Sequence, residues 1–268
     1  AHEHPAGSWV SVDGRKIHTA PPLDAVEAGQ PLIRISMIPG MVQRDSKNVP
    51  DDVRAALNVP ADKRTPAHWQ AIRSHFLRLY QLAEEVLAII PEFMGSPNVL
   101  GIGEIGLNKN SRNEMLVLEK HIDLAASNDQ LILVHTPHLE DKRKGTRLIL
   151  DALKSDSRIR PERCIIDHVE EHTVGMVLDD GFWAGMTLYP ETKCTSNRAI
   201  DILELYGNER IWMNSACDWG ISVPLAVPRA AQEMKRRGSD PGQIDKVIYQ
   251  NPIEFMSQSP RFTAPEGL

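Results

Sequence analysis

One pattern constrains this chain more than any other. Through its C-terminal two thirds, short runs apolar on both faces alternate with amphipathic stretches of helical period. The first unit is Asn98-Val-Leu-Gly-Ile-Gly-Glu104, followed by Asn113 to Asn128, where Met115, Leu118, Ile122 and Ala126 recur at three- and four-residue steps. Leu131 to Val134, Cys164 to Ile166, Phe182 to Leu188 and Ile211 to Met213 read as further strands. Gly145 to Leu153, Glu171 to Leu178, Ala199 to Tyr206, Val227 to Arg237 and Ile244 to Met256 read as helices. A parallel pair needs a long crossover, and the crossover helix then covers the sheet, so strands buried on both faces mark parallel sheets. A closed (β/α)8 TIM-type barrel fits better than an open sheet. Polar, chemically capable residues stand at the C-terminal ends of successive strands, and only in a barrel do those ends converge on one mouth.

The region before Asn98 is less regular. Leu32 to Ile38, ended by Pro39-Gly40, reads as a strand, and Gly7 to Ala28 holds few clear elements. His68 to Phe93 reads as a long helix, with Trp69, Ile72, Phe76, Leu79, Leu82, Val86 and Ile90 on one stripe. Residues 42–66 are polar and carry Pro50, Pro60 and Pro66, which reads as a loop excursion or lid. The expected organisation is one barrel domain over residues 1–268, with an irregular or incomplete N-terminal part allowed.

Composition narrows the function. With 41% hydrophobic and 25% charged residues, disorder, collagen and coiled coil are excluded. A net charge of −6 argues against a broad surface for nucleic acid or anionic membrane, and 5% aromatics against a long base-stacking groove. No run reaches about 18 apolar residues, so no membrane helix is expected. Cys164, Cys194 and Cys217, odd in number and far apart, suit a reducing compartment such as the cytoplasm. A small-molecule substrate is favoured over nucleic acid, and a homo-oligomer is compatible with this composition.

Four strand-end residues carry the chemistry. Glu104 follows Gly101 and Gly103, His135 follows Leu131 to Val134, His168 follows Cys164 to Ile166, and Asp218 lies just past Ile211 to Met213. Singly, each has a structural reading: a surface acid, a hydrogen-bonded core histidine, a loop aspartate. By strand alternation Asp167 faces away from His168, so the two are not expected in one site. Glu171 and His172 are placed at the start of the next helix, where carboxylates are favoured. His2 and His4, two apart, could chelate one ion; at the extreme N-terminus, with no apolar run before them, they also read as a frayed tail. Together these oxygen and nitrogen donors, without thiolates, suit zinc, manganese, iron or magnesium, and a glutamate able to bridge two ions suggests a two-metal hydrolytic centre.

At these residues the sequence resembles the TatD-related metal-dependent hydrolases, a branch of the amidohydrolase-like (β/α)8 barrels, and within them the EboC-type subgroup. The matching stretches are Gly103-Glu-Ile-Gly-Leu107, Val134-His-Thr-Pro-His138, Ile166-Asp-His168 and Asn214-Ser-Ala-Cys-Asp-Trp-Gly220, with Gly181-Phe-Trp-Ala-Gly185 and Tyr189-Pro190. The resemblance implies a bridging Glu104, with His135 and His168 on one metal. It places Asp218, His2 and His4 on the other, with Asp218 also orienting or deprotonating the attacking water. His138, Lys193 and Trp219 are candidate substrate contacts, Lys193 for an anionic group. The expected enzyme activates water on one or two divalent ions to hydrolyse a phosphoester, amide or lactone. Two other readings stay open: an inactive barrel that binds a ligand or partner, and a metal-free lyase or isomerase using His135 and Glu104 as acid and base.

Overall fold

Cys164–Asp167 and Trp183–Thr187 are buried at every residue, as strands covered on both faces must be. The computed structural model describes residues 50–138, 140–189, 193–216 and 223–264, together with the backbone of 9–12 and 15–18; the side chains of 76–83 are not described. His2, His4, Asp218 and Trp219, and the strand expected at Leu32 to Ile38, lie outside the described residues. The chain divides into two compact units, one ending at Glu92 and the other beginning at Phe93.

In the first unit, β1 (Trp9–Val12) and β2 (Arg15–His18) form an antiparallel hairpin. Within the stretch read as an excursion lie a helix, α1 (Asp51–Leu57), and a 3-10 turn, Ala61–Lys63. Val53, Ala56 and Leu57 recur at helical spacing and pack with Ile72 of the long helix α2 (Pro66–Met94) in a small core. The prolines that suggested a loop stand outside α1: Pro50 caps its start, where the missing N–H costs nothing. The Arg64 guanidinium donates to the carbonyls of Ala56, Leu57 and Val59, satisfying groups at the end of α1, and lies over the Trp69 ring at 5.1 Å.

The second unit alternates without interruption. Its strands are β3 (Gly101–Gly106), β4 (Leu131–His135), β5 (Cys164–Asp167), β6 (Trp183–Thr187) and β7 (Ile211–Asn214). Between and after them come α3 (Arg112–Ser127), α4 (Lys142–Ser155), α5 (Val174–Asp179), α6 (Ser196–Tyr206), α7 (Ala226–Arg236), α8 (Pro241–Asp245) and α9 (Asn251–Met256). All five strands are parallel, in the order β3-β4-β5-β6-β7. A doubly wound sheet reverses direction partway. Here each right-handed crossover moves one place the same way, so the covering helices fall on one face and the sheet becomes a barrel wall.

Two local readings are corrected. Residues 171–173 form a turn, and α5 begins only at Val174, so Glu171 and His172 precede the helix. The turn is held by the Glu170 amide donating to Thr173 Oγ1 at 2.9 Å. Glu104 does not end its strand: β3 runs on to Gly106 through a bulge, with Gly103 and Glu104 together facing the single residue Leu133.

The N-terminal ends of the strands are closed by an apolar cluster of Leu131, Ile165, Trp183, Trp212 and, from α9, Phe255. The three rings meet at centroid distances of 5.3 to 5.9 Å in tilted and edge-on contacts, a favourable arrangement for their quadrupoles. The polar handle of Trp183 is satisfied too, its Nε1 donating to the Glu162 carbonyl at 2.7 Å. The polar strand ends lie at the opposite end of the wall.

Candidate metal centre

Glu104 and His168 come together. His168 Nε2 lies 2.7 Å from Glu104 Oε1, although the residues stand on β3 and just past β5. A bulge re-aims a side chain that regular alternation would send elsewhere, and the one in β3 falls at Glu104. His168 adopts a left-handed backbone (φ 61°), which ends β5 abruptly. That conformation is disfavoured for a side chain with a Cβ and persists only when neighbours hold it. The His168 carbonyl accepts from Lys142 Nζ at 2.9 Å and Thr136 Oγ1 at 3.1 Å, and its amide donates to Asp167 Oδ1 at 2.8 Å.

The same turn overturns the expectation for Asp167. With the pleat broken at His168, both side chains enter one site, and Glu104, Asp167 and His168 each offer a ligand atom within 4.8 Å of the others. Asp167 is 6% exposed, and its Oδ1 accepts three hydrogen bonds: from the His168 amide, from Thr187 Oγ1 at 3.1 Å and from Asn214 Nδ2 at 2.9 Å. Thr187 Oγ1 also stands 2.7 Å from His168 Nδ1. Thr187 and Asn214 are the last residues of β6 and β7 and pair with each other in register. Sequence reasoning missed these three residues. The available signal was their position, since each ends an apolar run as His135 does.

His135 ends β4, between the strands that supply Glu104 and His168. Burial, with Lys193 and His168 acting against the opposing pull of Glu104, lowers its pKa to about 4, so it is a neutral imidazole with a lone pair to offer at pH 7. Burial opposes ionisation of Glu104, yet the hydrogen bond and charge of His168, with His135 and Lys193, hold its carboxyl below the ordinary value. Burial and the neighbouring Lys142 push Lys193 down to about 8, while Glu104, Asp167 and Glu170 pull the other way. Lys193 is thereby coupled to the residues of the centre. His138 is exposed as a residue, but desolvation of its ring and the charges of Lys193 and Lys142 lower it to about 4. A second group, Glu170, Glu171 and His172, is close enough to hold an ion, but Lys142 and Arg198 already occupy its carboxylates at 2.6 to 3.0 Å.

The depressed histidines set the acid response of the metal-free protein. Unfolded histidines titrate near 6.5, and His135 and His138 in the fold near 4, so between these values the unfolded chain binds more protons. Stability from these two groups is therefore present above pH 6.5 and lost as pH falls toward 4. Urea unfolding of chelator-treated protein at pH 7.5 and pH 4.5 should show a lower midpoint at the acid value. His135→Asn should reduce that difference, and an unchanged difference would refute the assignment to His135.

The donor set fits a divalent ion: a carboxylate, an imidazole nitrogen at 2.7 Å from it, a neutral second imidazole, and an aspartate whose Oδ1 is already satisfied. No protein-family model matches the chain. In sequence it is 28% identical over 172 residues to an uncharacterized metal-dependent hydrolase of Methanocaldococcus jannaschii, covering 64% of this chain and 67% of that protein. Among solved structures it is similar to the TatD-like protein of Archaeoglobus fulgidus, with 28% identity and a TM-score of 0.49 over 63% of this chain and 64% of that one. It is also similar to the phosphotriesterase homology protein of Escherichia coli, solved with phosphate in its active site, with 15% identity and a TM-score of 0.54 over 66% of each chain. The Escherichia coli likeness shows the fold: the consecutive βα units are the wall of a TIM-type barrel. The matches span about two thirds of each relative's own length.

Proposed function

We propose that this chain is a metal-dependent hydrolase acting at the C-terminal mouth of its barrel with one or two divalent ions (zinc, manganese, magnesium or iron). One observation carries the reading: the 2.7 Å approach of His168 Nε2 to Glu104 Oε1 at the ends of different strands. The sequence likeness to the archaeal metal-dependent hydrolase supports it. Glu104, His135 and His168 would hold one ion, and Glu104, Asp218, His2 and His4 the other. When bound, such an ion polarises the scissile bond and lowers the pKa of water to about 7. Asp218 orients the attacking water and accepts its proton. Glu104 stays ionised at neutral pH because His168, His135 and Lys193 favour its charge.

Lys193 supplies a positive charge beside the centre, with His138 and Trp219 as further candidate substrate contacts, which suits a small substrate carrying or developing negative charge: a phosphoester, an amide or a lactone. The Gly103-to-Leu107, Val134-to-His138 and Gly181-to-Gly185 stretches support the EboC-type subgroup of the TatD-related hydrolases. Cys164 and Cys194, buried and free, support a cytoplasmic setting, and no helix among the described residues is long and apolar enough to cross a membrane.

Metal analysis with a substrate panel tests the reading. The purified chain should carry at least one divalent ion. It should lose hydrolysis of an aryl phosphodiester, a dipeptide or a lactone in excess chelator, and recover it on adding back zinc or manganese. Activity that survives chelation would favour the lyase or isomerase. Absence of both metal and turnover would favour the ligand-binding barrel.

A further inference from the structure

Thr187 is 1% exposed and its hydroxyl touches two polar atoms, Asp167 Oδ1 at 3.1 Å and His168 Nδ1 at 2.7 Å. A hydroxyl has one proton to give, and an ionised carboxylate can only accept. The proton therefore goes to Asp167. Were it given to His168 instead, two oxygen lone pairs would face each other at 3.1 Å in a buried site. The Thr187 oxygen is left to accept, so Nδ1 of His168 must carry a hydrogen. Asp167 is fixed in turn by the His168 amide and Asn214 Nδ2 on the same oxygen, and its Oδ2 lies 3.7 Å from Nδ1, which again favours a proton there.

We propose that Asp167 and Thr187 are positioning residues: through the chain Asp167–Thr187–His168 they hold a proton on Nδ1 and fix the ring orientation of His168, so that Nε2, beside Glu104, is the nitrogen left to bind a divalent ion. The inference rests on the metal-dependent reading above for its purpose, though not for its geometry. A ligating imidazole commonly donates its other N–H to a carboxylate, a carbonyl or water. Here a threonine hydroxyl stands between, which reaches a carboxylate that faces His168 across a left-handed turn.

The test uses the full chain labelled with 15N and zinc as the probe. At pH 8, long-range proton–nitrogen spectra of the zinc-free protein should show a protected proton on His168 Nδ1, while Nε2 shares its proton with Glu104 at 2.7 Å and gives it up on binding zinc. On adding zinc, Nε2 should move to the shift of a coordinated nitrogen while Nδ1 keeps its proton. Thr187→Val should weaken zinc binding by about 10- to 100-fold and lose the protected Nδ1 proton, and Thr187→Ser should restore both. A bare Nδ1 in the parent, or a Thr187→Val protein that binds zinc as tightly as the parent, would overturn the proposal. If Thr187→Val does not fold, the parent spectrum and Thr187→Ser still decide. The two readings fail separately: a parent that takes up none of zinc, manganese, magnesium or iron defeats the metal-dependent function, whereas the zinc-free spectrum judges the Asp167–Thr187 relay without any metal.

Discussion

Replacing Glu104 with Gln is expected to lower kcat/KM by about a thousandfold or more, roughly 4 kcal/mol of transition-state stabilisation. The substitution keeps the shape of a side chain that is 43% exposed and removes the one charge that His168, His135 and Lys193 all favour. Metal content should fall with activity, because an amide is a poor ligand for a hard divalent ion compared with a carboxylate. The chelator-treated variant should melt within about a degree of the chelator-treated parent, since the amide oxygen can still accept from His168 and a part-exposed ion pair contributes little to the fold. Metal content by elemental analysis, steady-state kinetics and thermal melts on the same preparations give the three readings. A variant that keeps its metal and its rate would remove Glu104 from the centre.

Gly185→Ala should be a strongly damaging methyl addition, because it strikes the carboxylate that supports His168. A Cβ there would lie 2.3 Å from Asp167 Oδ1 and 3.0 Å from its Cγ, with Ile165 Cδ1 at 3.1 Å. The carboxylate cannot step aside without leaving Thr187, Asn214 and the His168 amide unpaired in a buried setting. Overpacking and broken hydrogen bonds together should cost about 3 kcal/mol, lowering the melting temperature by roughly 6–12 °C. Metal affinity should fall as well, because His168 loses its support. Gly95→Ala, where a Cβ meets nothing within 4 Å, is the matched control and should change little. Equal melting temperatures for the two variants would refute the crowding argument.

The alternation in the sequence was legible because parallel strands under helices must be apolar on both faces; the predicted strands at Leu131, Cys164, Phe182 and Ile211 fall on β4 to β7 within a residue or two at each end. α1 was hidden by prolines that lie outside it, at Pro50 and Pro60, although Val53, Ala56 and Leu57 carried a helical spacing. At the site, Glu104 and His168 could be paired by position, but the bulge and the left-handed turn that bring them together could not. The alternation rule itself excluded Asp167. It describes a regular pleat, and the chain departs from the pleat just where the chemistry gathers. Thr187 and Asn214 are ordinary strand-end residues in the sequence and acquire meaning only as donors to Asp167.

The ring cluster of Trp183, Trp212 and Phe255 locks the foot of the wall far from where water would be activated. Rigidity and reactivity are thus invested in different ends of the same strands. Loops at the open rim can lengthen, shrink or exchange side chains, and so acquire new substrates, while the foot keeps the staves aligned.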